Sequence, residues 1–150
     1  ISEALGAETL PNGDSVFDFL PIEINGRLVW IQHQGAPAGR GITEGNALHN
    51  YMRNIYFTCL EDKRRLPDVI ISGHYHRNVY DTFTRKEHTI HGIIVPPWQL
   101  KTRFGYRVAA AELDNIGLRA VDISSPVNGK GAIDVNEPIL LQTREEVGRI

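Results

Sequence analysis

The order strand, loop, helix, strand over residues 27–73 limits the possible folds of this chain more than any other feature. "RLVWIQH" (27–33) and "DVIISG" (68–73) are short, apolar, β-branched runs with the look of buried strands. Between them, over residues 43–66, Leu48, Met52, Ile55, Tyr56, Cys59 and Leu60 recur at threes and fours, which is the helical period, and Pro67 stops the pattern. A helix joining two strands in this way makes a βαβ crossover, so the strands are parallel neighbours and the helix lies over one face of their sheet. Thr43 and Glu44 stand at the start of the helix. Lys63, Arg64 and Arg65 fall in its last turn, where cations suit the negative end of the helix dipole, and the triplet reads as a capping face rather than a binding site.

The flanking segments are strand-like. "VFDFLPIEI" (16–24) meets "RLVWIQH" at Asn25-Gly26, the dipeptide that best tolerates the positive φ angles of a type I′ turn, so the two form a hairpin. After the crossover, "VYDTFTR", "HTIHGIIV", "YRVAAAELD" and "GLRAVDIS" are divided by turn residues, including Asp114-Asn115, and read as an antiparallel meander. Residues 124–150 are punctuated by proline and glycine and are expected to be loose. There is no internal repeat and no low-complexity tract. The 150 residues, 41% of them hydrophobic, suffice for a single domain with a real core.

Both strands of the crossover run into histidine. His33 opens the glycine-rich stretch "HQGAPAGRGITEGN", and His74 and His76 follow Gly73 in "SGHYHR". Imidazole is the commonest metal ligand among side chains. Residues i and i+2 share a face in an extended strand, while a loop lets them diverge toward two neighbouring ions, and the spacing fits both. Gly73, with no Cβ, lets the backbone turn tightly beside them. On the residues alone, the same pair also reads as two surface or core-edge histidines.

Other residues draw cooler readings. His88 and His91 are three apart on a strand, so they point to opposite faces and take structural roles. Arg40, in the loop after His33, and Arg77, after His76, are candidate substrate contacts, because a guanidinium meets phosphate through forked donors; solvated surface is the alternative. Tyr75 and Trp98 read as core aromatics, with stacking on a nucleobase as the alternative.

Composition excludes more than it names. With 16 Lys+Arg against 18 Asp+Glu, the net charge of −2 gives no general attraction to nucleic acid or to anionic membrane. Cys59 is the single cysteine, which excludes an internal disulfide and a cysteine-based zinc cluster and fits a reducing, cytoplasmic setting. No apolar stretch approaches the ~20 residues of a membrane helix and no basic-then-apolar leader opens the chain, so no membrane partner is expected.

"PDVIISGHYHR" resembles the strand ending in Gly-His-x-His that closes the domain of the calcineurin-like metallophosphoesterases, and "GRLVWIQHQG" resembles the strand ending in His-x-Gly that precedes it there. The two motifs stand in the family's order with the family's helix between them, and the resemblance spans residues 16–121. It implies an α/β fold, a β-sandwich with flanking helices, and a two-metal centre at the strand ends that hydrolyses phosphomonoesters or phosphodiesters. His33 and His74 would hold one ion, and His76 the other, beside a bridging carboxylate. Two cations about 3.5–4 Å apart would polarise the phosphoryl group and activate a bridging water. Manganese, iron and zinc all tolerate such a site.

The same resemblance implies further ligands upstream of His33, in Asp-x-His, Gly-Asp-x-x-Asp and Gly-Asn-His motifs that this sequence does not contain. "NGDSVFD" (12–18) has its second Asp one position late and reads as a turn, and "GNALH" (45–49) separates its Asn from its His and lies on the wrong side of His33. The expectation is therefore a single partial domain over residues 1–150, the C-terminal half of a metallophosphoesterase domain. Its parent would be a hydrolase carrying two divalent ions, with a nuclease of the DNA-repair kind as the preferred subclass and a phosphate ester, nucleic acid included, as substrate. The chain alone would bind at most one ion weakly and turn over poorly or not at all. A half-domain leaves sheet edges uncovered, so self-association through an edge strand is expected. The alternatives are a non-catalytic remnant or interaction domain of the same fold, and, least favoured, a cupin-like single-metal barrel, for which only Asp81 follows His76 in place of the needed Glu.

Overall fold

The computed structural model describes residues 18–35, 39, 43–97, 116–125 and 129–142. Strands β1 (Phe19–Ile24) and β2 (Arg27–Gln32) form the expected hairpin, with Asn25 at φ 49° and Gly26 at φ 77° in its turn. Helix α1 (Asn46–Glu61) follows, then β3 (Val69–Ser72), β4 (Val79–Arg85) and β5 (His88–Ile94). These five strands make one sheet in the order β1-β2-β3-β5-β4, in which β2, β3 and β5 are parallel neighbours and β1 and β4 run antiparallel at the edges. The α/β architecture and the βαβ crossover read from the sequence are both present.

The sheet is covered on both faces. Leu48, Met52, Tyr56 and Cys59 form the inward stripe of α1, and they pack on Trp30, Ile70, Phe83, Ile90 and Ile94. Gly92 is what lets the helix come so near, since a Cβ there would stand 2.6 Å from Met52 Sδ and 3.0 Å from Leu48 Cδ1, both of fully buried residues. On the other face Val29, Val69 and Ile93 pack against Val121, Ile123, Ile133 and Val135. Those four residues belong to a small second sheet, β7 (Val121–Ile123) paired with β8 (Ile133–Val135), so the protein is layered helix, sheet, sheet.

Three expectations need correction. The segments after the crossover are not a simple meander: β4 and β5 do form an antiparallel hairpin, but β5, not β4, lies beside β3. Burial decides this, because β5 buries Ile90, Gly92, Ile93 and Ile94, whereas β4 has only Val79 and Phe83 buried and so sits at the edge. "GLRAVDIS" is not one strand but two, β6 (Ile116–Leu118) and β7, and residues 124–150 are not loose throughout. They contribute β8 to the second sheet and β9 (Ile139–Gln142), which pairs with β6. The segment "YRVAAAELD" and the Asp114-Asn115 turn lie outside the described residues.

The helix also ends earlier than Pro67 suggests. Arg64 N–H bonds to Cys59 O at 2.8 Å and Lys63 N–H to Leu60 O at 3.2 Å, with Lys63 at φ 54°, which is a Schellman closure. The basic triplet therefore lies beyond the helix rather than in its last turn. Arg64 pairs with Asp62 at 2.7 Å, and Arg65 reaches Glu23 in the hairpin. Among the described residues no helix is long and apolar enough to cross a membrane.

Candidate metal centre

Because β2 and β3 are parallel and in register, with Gln32 opposite Ser72, the chain leaves both strands at the same end of the sheet. Open α/β sheets place their sites at this carboxyl end. Gly73 N–H bonds to Gln32 O at 3.1 Å, and a Cβ on Gly73 would come 3.3 Å from His33 O, so the two exits run close together. The result is that His33 Nε2 and His74 Nδ1, 41 positions apart in sequence, approach to 3.2 Å, with ring centroids 5.1 Å apart and planes at 72°.

The backbone is bent to achieve this. Tyr75 N–H bonds to Gly73 O at 2.9 Å across His74, whose φ is 71°, so His74 is the apex of a γ-turn of the positive-φ kind. His76 follows at φ 52°. Non-glycine residues in this region carry strain of about 1–3 kcal/mol each, and such strain concentrates where a side chain must be aimed. Tyr75 packs partly buried against the helix-side core, as expected of a core aromatic, and sets its ring edge-on to His74 with centroids 5.2 Å apart.

The His33–His74 spacing suits a metal. Two imidazole ligands of one tetrahedral ion, at about 2.0–2.1 Å each, have their nitrogens about 3.3 Å apart. The two facing nitrogens are also within hydrogen-bond distance of each other, with donor and acceptor set by the tautomers of the two rings. Both rings are exposed to solvent, so an ion can reach them. The donor set is incomplete, however: among the described residues no three of His, Cys, Asp and Glu gather where an ion could sit, so His76 does not join the pair as a third ligand.

The other candidates take different places. Arg77 is buried rather than solvated, with its guanidinium 4.0 Å from the Glu44 carboxylate ahead of α1. Arg40 and Trp98 lie outside the described residues, as does most of "NGDSVFD". Asn46 and His49 of "GNALH" are in the first turn of α1, where His49 Nδ1 meets Asp81 Oδ2 at 2.9 Å, so this segment is a helix start rather than a ligand motif. His88 and His91 are structural, as expected. His88 Nε2 donates to Pro67 O at 2.9 Å, and His91 Nδ1 meets Tyr80 Oη at 2.9 Å. Burial, aided by the nearby Arg27 charge, pulls the His91 imidazole below its ordinary pKa.

Sequence reading missed a polar group beneath the histidines. Gln32 Nε2 donates to Ser72 Oγ at 2.9 Å, and Tyr51 Oη donates to Gln32 Oε1 at 3.0 Å from α1. A Cβ on Gly35 would fall 2.2 Å from Gln32 Nε2 and 2.3 Å from Ser72 Oγ. The signal was the glycine of "HQG", two residues after His33, together with polar residues ending two otherwise apolar strands.

Fold and site together define a layered α/β protein with a histidine pair at the carboxyl end of its parallel strands. No protein-family model matches the chain, and no curated protein sequence matches it. Two solved structures align with it, both of Vps29 from Entamoeba histolytica and both 15% identical. A single mutant covers 83% of this chain at a TM-score of 0.40, and the wild type complexed with Zn2+ covers 83% at a TM-score of 0.43. The chain spans 61% of the length of each. Identity at that level leaves the chemistry of the site to be read from the chain's own residues.

Proposed function

We propose that His33 and His74 are two ligands of one divalent metal ion in a metal-dependent phosphoesterase, a hydrolase of phosphodiesters or phosphomonoesters. The observation that carries this reading is the 3.2 Å approach of their nitrogens at the ends of adjacent parallel strands. The resemblance of the two strand-end motifs to those of the calcineurin-like metallophosphoesterases supports the reaction class. His76, two residues beyond His74, is left to a neighbouring ion. A bound ion would supply Lewis acidity to a phosphoryl oxygen and a more acidic bound water. The chain's own part is to present two imidazole lone pairs at a separation set by the sheet rather than by the ion. Two donors bind an ion weakly, so these two residues by themselves support little or no turnover, and a two-metal centre needs a bridging carboxylate that does not stand beside them among the described residues.

The test has two arms. The 150-residue chain titrated with Co2+ should develop visible absorption, which His33→Ala and His74→Ala each abolish. The protein expressed from its complete gene should hydrolyse bis-p-nitrophenyl phosphate in a Mn2+-dependent way, and His74→Ala should remove that activity. Absence of both signals in the unsubstituted proteins overturns the proposal in favour of a non-catalytic interaction domain.

A further inference from the structure

We propose that Gln32, Ser72 and Gly35 form a latch that positions His33 against His74, a role that rests on the metal-binding reading of those two residues. Gln32 is the last residue of β2 and Ser72 the last of β3, and they are register partners. Gln32 immediately precedes His33, and Ser72 stands two residues before His74. Their side chains, both buried, close on each other at 2.9 Å, while Tyr51 holds the far side of the Gln32 amide from α1 at 3.0 Å. Gly35 then passes directly over the Gln32–Ser72 bond, so near that no Cβ fits there. The turn that carries His33 is thus seated on the bond that ties the two strands together.

The choice of residues points to positioning. Two apolar side chains would fill the same space without the cost of taking an amide and a hydroxyl out of water. What a hydrogen bond adds is a fixed distance and direction. A metal pair needs its ligands held to within about 0.5 Å, and the facing nitrogens lie within that margin of the tetrahedral separation. Gly35 is not in the left-handed region, so alanine is acceptable to its backbone, and a substitution there acts through space alone.

The experiment uses the 150-residue chain with Gly35→Ala, Ser72→Ala and the double substitution. The first readout is Co2+ affinity. The second, in the metal-free protein, is the through-hydrogen-bond 15N coupling between His33 and His74, which a merely structural role for Ser72 leaves in place. Each single substitution is expected to weaken Co2+ binding about tenfold or more and to lose the coupling. The double should be no worse than either single, because without the Ser72 hydroxyl the Gln32 amide is no longer tied in place, and it and the vacated hydroxyl space together accommodate the new methyl. Additive losses, or full affinity and coupling in both singles, overturn the latch. If the unsubstituted chain binds no Co2+, the metal reading fails by itself, and the coupling still decides: its loss in the variants supports the latch, and its persistence overturns it. Should Ser72→Ala not fold, Tyr51→Phe removes a single hydroxyl from the outer end of the network, and reduced or unchanged coupling decides in the same sense.

Discussion

The Asp68 carboxylate, fully buried just before β3, accepts a hydrogen bond at 2.9 Å from the guanidinium of Arg27, the first residue of β2. Leu28 N–H donates to the same carboxylate at 2.9 Å and Lys130 Nζ at 3.3 Å, so one anion joins β2, β3 and the start of the segment that leads into β8. Burial alone would raise its pKa, but the Leu28 amide, Arg27 and Lys130 together outweigh that and hold it below the ordinary carboxylate range. A carboxyl depressed in the folded state stabilises above its unfolded pKa and loses that contribution as pH falls through the folded value. Asp68→Ala is expected to cost about 1–3 kcal/mol at pH 7, because it leaves the Leu28 amide and the partly exposed Arg27 guanidinium without their acceptor, while Lys130 returns to solvent. Urea unfolding should show the gap between the two proteins narrowing as pH falls below about 4, and a gap that is constant with pH would refute the assignment.

Gly92 gives α1 its seat. Gly92→Ala places a methyl against Met52 and Leu48, neither of which has solvent to move into, and overpacking of this kind costs about 1–3 kcal/mol. Combined with Met52→Ala, whose smaller side chain opens the space, the loss should be less than the sum of the two single effects in a double-mutant cycle of denaturant unfolding.

Lys63 closes the Schellman motif at φ 54°, a conformation that costs an L residue about 1–2 kcal/mol and glycine nothing. Glycine's larger loss of chain entropy offsets part of this, so Lys63→Gly should stabilise the protein by about 0.5–1 kcal/mol. Thermal unfolding checks it: a lower midpoint would show that the Lys63 side chain contributes more than its backbone costs.

His74 should behave in the opposite way for function and for stability. Its position at the γ-turn apex is strained, so His74→Gly is expected to raise the stability of the metal-free chain by about 1 kcal/mol while removing the Co2+ signal. A variant that is both less stable and metal-free in Co2+ titration would mean that the His33 contact outweighs the strain.

The elements legible in the sequence were those with local causes. Asn25-Gly26 supports positive φ at both turn positions, and a hairpin stands there. The threes and fours from Leu48 to Cys59 place the stripe that α1 buries. The end of the helix was misplaced because Pro67 is a visible stop, whereas the Schellman closure puts a lysine where glycine usually signals the end. "GLRAVDIS" reads as one strand because its propensity is continuous. It divides because Gly117 pairs with Leu140 while Val121 pairs with Val135, and no local pattern records which distant segment a strand will meet.

Two apolar runs ending in histidine, with a helix between them, were enough for the sequence by itself to determine that His33 and His74 lie side by side. A βαβ crossover allows little else once its strands are parallel neighbours. Only the tertiary structure decided that the two nitrogens face each other, that no third ligand gathers with them among the described residues, and that a buried amide and hydroxyl lie beneath. Those outcomes depend on φ at His74, on strand register and on the close passage of Gly35 over Ser72. The register and the passage of Gly35 are set by packing between segments about forty residues apart, and the φ of His74 by a γ-turn with no glycine to announce it, so sequence spacing carries no record of them.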